Sequence, residues 1–296
     1  MAYFILTAVV LGWFVHIKIK GKLSWHSILE IVFSSLILTD LPDILLCYHL
    51  RLFSLYLKMF SDTNRDIKNA LLLSDLVIMP LMLVIYTYYF AKYRKWWIPL
   101  VYPITLTMIE LLFLKLHLIE YHHFSWIYTF LMYCMGAALF AWLAHRYINY
   151  NPPLPEALMI APASYVIMAF PPTLFGTLLE LFQWRPGIFT DGFTDNWVIA
   201  VGLGLLSAVI ACIGFLVFKS RKSRYWVLFF VGIIHIAINA VLIAKGWCVY
   251  HHWNTFFQIL LIICSTIILL LYYRWETRYR DRIAHSVRYT KRPLHM

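Results

Sequence analysis

A chain of 296 residues that is 62% hydrophobic and only 13% charged cannot hide its apolar side chains in a water-soluble core, so a soluble globular protein is excluded and a membrane protein is implied. The formal charge of +11 does not point to nucleic acid, because Lys and Arg lie in short clusters between apolar runs and not along one amphipathic face.

Runs of about 20 apolar residues predict an all-α fold, a polytopic transmembrane helix bundle of about nine spans in the cell membrane. They fall near residues 2–17, 25–49, 69–91, 97–114, 126–144, 157–182, 197–218, 226–244 and 254–273. The first run ends in Ile17-Lys18-Ile19-Lys20 with no small-residue cleavage site and no basic segment before it, so it reads as a retained helix. Trp25, Trp97, Trp126, Trp197, Trp226 and Trp253 mark span edges, as interfacial aromatic belts do. Alternate connections collect Lys18, Lys20 and Lys22, then Lys92, Arg94 and Lys95, then Arg146, then Lys219, Arg221, Lys222 and Arg224, and finally the tail from Arg274. This excess places the N-terminus outside and the C-terminus in the cytoplasm.

Between the second and third spans, Arg51 to Lys68 mixes apolar and basic residues, which fits either a short interfacial helix or a packed loop. Asn149-Tyr-Asn-Pro-Pro-Leu-Pro155 is the strongest punctuation and separates a five-helix half, 1–150, from a four-helix half, 151–275, followed by a basic tail, 276–296. The tail reads as a solvated topology anchor or as a continuation of the last helix onto anionic lipid. No convincing internal repeat relates the halves.

The polar residues inside the spans carry the functional argument. Asp40 and Asp43 lie on one helix face with Pro42 between them, and Pro42 frees the backbone so that one acid can turn inward while the other turns out. Converted to depth at 1.5 Å per residue, Asp40, Asp75, Glu110 and Asn239 all fall about 20 Å from the cytoplasmic edge. Asp43 and Glu180 lie further out, so the acids of the spans gather in the outer third of the bilayer, with Glu30 the exception. No Lys or Arg is expected at the same depth, so gathered carboxylates need protons, a bound cation, or a role in a hydrogen-bonded network.

Other constellations are weaker. His117, Glu120, His122 and His123 in one exterior connection have residue types that bind transition metals, but no HExxH or comparable spacing. Cys134, Cys212 and Cys264 fall in mid-span and read as small buried hydrophobes, and no cysteine spacing suggests a metal; Cys47 and Cys248 offer only a weak disulfide candidate. Gly202, Gly204 and Gly214 read as helix-packing positions. Walker, nucleophile-elbow and kinase signatures are missing, and Asp40-Leu-Pro-Asp43 matches the aspartate-rich motifs of prenyl transferases poorly.

In the first half, Thr39-Asp40, Asp75 with Pro80 and Tyr86, Thr107 to Glu110, and Tyr121 followed by Trp126-Ile-Tyr-Thr-Phe130 resemble an uncharacterised family of small multi-pass membrane proteins common in spore-forming Gram-positive bacteria. The likeness covers about residues 25–147 and implies a helical membrane protein with no established activity. The second half departs from that pattern.

Three functions fit these residues. The leading one is a transporter or sensor whose outer-leaflet acidic pocket takes a proton, cation or small polar ligand, with Asp40, Asp75 and Glu110 as core groups and Asp43 and Asn239 in support. The second is an enzyme acting on a lipid or lipid-linked substrate, with Glu110 or Asp40 as general acid or base. The third is an assembly subunit with a membrane-protein partner. No cofactor is indicated, and the lipid bilayer is the common partner.

Overall fold

Backbone polar groups in hydrocarbon have no water to bond, so the apolar runs satisfy their amides internally as helices. The computed structural model describes residues 2–21, 23–43, 46, 50, 52–61, 63–149, 153–189 and 192–290, and these form two compact units, Met1–Leu154 and Pro155–Met296. The division falls within the Pro-rich punctuation.

Unit 1 runs α1 (Ala2–Lys20), α2 (Trp25–Asp43), β1 (Phe53–Leu55), α3 (Thr63–Leu73), a π-helical turn (Ser74–Ile78), α4 (Met79–Tyr93), α5 (Ile98–Lys115), β2 (Ile119–Tyr121) and α6 (Trp126–Ile148). Unit 2 runs α7 (Glu156–Pro172), a π-helical turn (Thr173–Leu178), β3 (Phe182–Trp184), α8 (Gly192–Val217), α9 (Arg221–Ala244), β4 (Cys248–Tyr250) and α10 (Thr255–Thr290). Among the described residues eight helices are long and apolar enough to cross a membrane, as the all-α polytopic reading requires. The remaining expected span begins as α2, and its continuation at 44–49 lies largely outside the described residues, Cys47 included. Within the helices, large apolar side chains such as Met135 and Leu216 are 72% and 65% exposed, the surface expected of a chain whose solvent is lipid.

The structure selects between some of these readings and changes others. Of the two readings of the 51–68 segment, its described residues favour packed chain over a single interfacial helix: Phe53, Leu55 and Leu57 are buried where β1 pairs with β2, and α3 begins only at Thr63. Of the two readings of the basic tail, continuation of the last helix is the one met as far as Thr290, since α10 runs on to that residue, held by Arg280 to Glu276 at 2.9 Å and Arg221 to Asp281 at 2.6 Å. Cys264 is exposed rather than buried, and Cys134 and Cys212 are half-buried, because each sits on a helix that shows part of its surface to the apolar surroundings. Of the glycines, Gly204 and Gly214 do sit at close helix contacts, where an added Cβ would come within 2.6 Å of Ala169 and 2.5 Å of Val227, whereas Gly202 faces open space.

The two units share one ground plan, against the expectation of no repeat. In unit 1, Phe53 pairs with Tyr121, Ser54 with Glu120 and Leu55 with Ile119; in unit 2, Phe182 pairs with Tyr250, Gln183 with Val249 and Trp184 with Cys248. Each residue of the second set lies 129 positions after its counterpart. The amides of His122 and His123 both donate to the Leu52 carbonyl, and those of His251 and His252 to the Leu181 carbonyl. Leu118 N–H bonds Phe113 O as Trp247 N–H bonds Leu242 O. Positive φ recurs at Lys58 and Gly187, and again at His117 and Gly246. Asp66 accepts the amides of Lys58, Met59 and Phe60, and Asp195 those of Gly187 and Phe189. The same separation holds at the first of these bonds, where Leu52 N–H donates to Leu46 O and Leu181 N–H to Phe175 O. The repeat hides in the sequence because a lipid-facing helix position needs only to be apolar; what recurs is turn geometry, plus the short string Tyr121-His-His and Tyr250-His-His.

Candidate functional site

A cavity of about 190 Å³ lies inside unit 1. Its lining includes Thr39 and Pro42 from α2, Ser74 and Asp75 from the π-helical turn, Glu110 from α5, Thr129 and Tyr133 from α6, and Phe53, Leu55 and Ile119 from the strand pair. No lysine, arginine or histidine is among the described lining residues.

Local sequence explains how the acids arrive there. Pro80 has no N–H to give and follows the π-helical turn, whose wider loop is closed by Met79 N–H to the Ser74 carbonyl. The extra residue accommodated by that loop turns Asp75 inward, where it is 5% exposed. Glu110 is also 5% exposed. Its Oε1 accepts from Thr129 Oγ1 at 2.8 Å and from the Tyr121 hydroxyl. Tyr133 brings a further hydroxyl beside the carboxyl group, while Oε2 has no hydrogen-bond partner among the described residues. Burial first, and then the bond to Glu110, raises the Tyr121 hydroxyl well above the ordinary phenol range.

The structure therefore brings Asp75 and Glu110 to one cavity. Asp40 is half-buried beside Thr39 but is not itself in the lining. Asp43 closes α2, and its side chain lies outside the described residues. Asn239 belongs to unit 2. The metal candidates take separate partners: Glu120 accepts from Tyr56 at 3.2 Å, His122 bonds Ser54 at 3.2 Å, and His117 adopts positive φ at the end of α5. Among the described residues no group of three or more His, Cys, Asp or Glu is placed to hold a metal ion. Sequence reasoning missed Thr129, Tyr133 and Tyr121 as site residues. Tyr121 carried a signal, its place in the repeated Tyr-His-His string.

The same position in unit 2 is closed. Its cavity measures about 10 Å³, close to the room of one water. At the matching separation Glu110 becomes Asn239, Thr129 becomes Gln258, Asp75 becomes Gly204, Tyr133 becomes Ile262 and Leu106 becomes His235. The replacements bond to one another: Gln258 Nε2 donates to Asn239 Oδ1 at 3.2 Å, Asn239 Nδ2 to the His235 carbonyl at 3.0 Å, and His235 Nε2 bonds Ser207 Oγ at 2.6 Å. At Gly204, α8 lies so close to α7 that no side chain fits.

No protein-family model, curated protein or solved structure matches this chain.

Proposed function

We propose that the chain is an integral membrane carrier whose first unit holds a small cation in the Asp75–Glu110 cavity. One observation supports this reading above the others. The same helical framework is built twice, and in unit 2 it stands with a neutral Asn239–Gln258 pair and a closed cavity. The fold thus has no general need of carboxylates at these positions, and they occur in the unit that also has the space. Carboxylates in hydrocarbon are costly, and the cost is tolerated where they serve an ion or ligand. Internal repeats are a common build of secondary carriers, which favours carriage over sensing.

The test is thermal unfolding of the purified chain in detergent against a panel of inorganic and organic cations, alongside Asp75→Asn and Glu110→Gln. A cation present at 100 times its Kd should stabilise the wild-type protein by about 2.7 kcal/mol. Neither variant should respond, although both fold. If no cation shifts the melt, or if the variants respond as the wild type does, the reading is wrong.

A further inference from the structure

The cavity's size and walls narrow the kind of cation. An inorganic ion of the calcium or magnesium type is bound by six or more oxygens packed about it. Here the space is about 190 Å³, more than the roughly 150 Å³ that accommodates benzene in an apolar cavity. Six of the described lining residues are aromatic: Tyr3, Phe53, Tyr102, Phe113, Tyr133 and Phe140. Aromatic faces attract a desolvated organic cation and give its carbon body an apolar contact. At one side stands Glu110, buried, with Oε1 held by Thr129 and Tyr121 and Oε2 without a hydrogen-bond partner among the described residues. Asp75 lines the same space.

We propose that the ligand is a small organic ammonium ion with an apolar or aromatic body, one per chain, paired directly with Glu110. This rests on the reading of the cavity as a cation site. An ammonium group carries one charge and up to three N–H donors, and these match the buried carboxylate oxygens of Glu110 and Asp75. The body fills the aromatic part of the cavity. Unit 2 takes no second ligand, because its matching position has neither the acids nor the volume.

Equilibrium dialysis of the purified full chain with benzylamine, which is protonated at neutral pH, tests the proposal. Benzyl alcohol serves as the neutral isostere, and sodium and magnesium chloride as inorganic probes. Benzylamine should bind saturably with a stoichiometry of one per chain, and benzyl alcohol at least about tenfold more weakly, the scale of one charge-assisted hydrogen bond. Glu110→Gln should lose about the same factor, and the amide at Asn239 in unit 2 shows that the framework accepts such a group. Gly136→Leu is a second variant: Gly136 lines the cavity, and its Cβ position has no neighbour within 4 Å. That substitution fills the space, leaves both acids in place and should abolish benzylamine binding. Binding of sodium or magnesium with none of benzylamine overturns the organic class and leaves the cation reading standing. Equal binding of alcohol and amine overturns the pairing with Glu110, and two ligands per chain overturns the single site. If none of the probes binds, both this inference and the reading it rests on fail.

Discussion

Asp66 and Asp195 stand at the same point of the two units, each accepting amides from the turn that precedes its helix. Around Asp66 burial alone would favour the protonated acid, but the amides of Met59, Lys58, Phe60 and Leu57 outweigh it and hold the carboxyl below the ordinary range. Removing either acceptor leaves amides unpaired, so Asp66→Ala and Asp195→Ala should each destabilise the chain by about 2 kcal/mol, the scale of hydrogen bonds to a charged group. Thermal unfolding in detergent checks this, and matched losses would support the equivalence of the turns. Because the folded acidity of Asp66 is enhanced, its contribution is complete above the ordinary carboxylate range and is lost as pH falls through the lowered folded value. The gap between wild type and Asp66→Ala should therefore narrow in acid. Neither aspartate stood out in the sequence, since a carboxylate in the first turn of a helix looks the same whether it is solvated or binds backbone amides. Asp75 and Glu110 did stand out, because an acid in an apolar run has few cheap explanations.

At the scale of elements, the residues that form the cavity are positioned by interruptions of regular helix. Pro80 is the clearest case: it removes one N–H, the chain responds with a π-helical turn at Ser74–Ile78, and Asp75 faces inward as a result. Pro80→Ala restores the donor and lets α3 and α4 merge as ordinary α-helix. Each residue upstream would then rotate relative to α4, turning Asp75 out of the cavity. Benzylamine binding should fall by at least about tenfold while thermal stability is unchanged or higher, since a proline is exchanged for the best helix former. A binding loss accompanied by a marked fall in stability would point instead to a packing role for the ring. Depth counting could not see this turn, because a fixed rise of 1.5 Å per residue assumes the uninterrupted helix. For the same reason Asp40 falls at the depth of Asp75 yet does not line the cavity: depth along an axis fixes one coordinate, and facing is set by the other. The strand pairs were equally hidden, as three-residue strands such as Ile119–Tyr121 are too short for an alternating pattern to show.

For the whole molecule, apolar run length predicted the helices well, and the unit boundary lay in the most obvious linker. The repeat was not legible, because few identical side chains mark it. It bears on how the chain inserts. Within unit 1 the paired strands gather the ends of α2 and α5 at one end, while Lys18 and Lys20, Lys92 and Arg94, and Arg146 all belong to the other. Within unit 2 the pairing of β3 with β4 does the same, and Lys219 and, in the first turn of α9, Arg221, Lys222 and Arg224 lie away from the strands. Positive charge is retained on the cytoplasmic side during insertion, so both units should present their strand pairs to the exterior. Reporter domains fused after Phe60, Phe124, Phe189 and Trp253 should all report an exterior location, and fusions after Lys95, Lys219 and Thr290 a cytoplasmic one. If the fusions after Phe189 and Trp253 report from the cytoplasm while those after Phe60 and Phe124 do not, the units insert in opposite senses, and the charge argument fails for one of them.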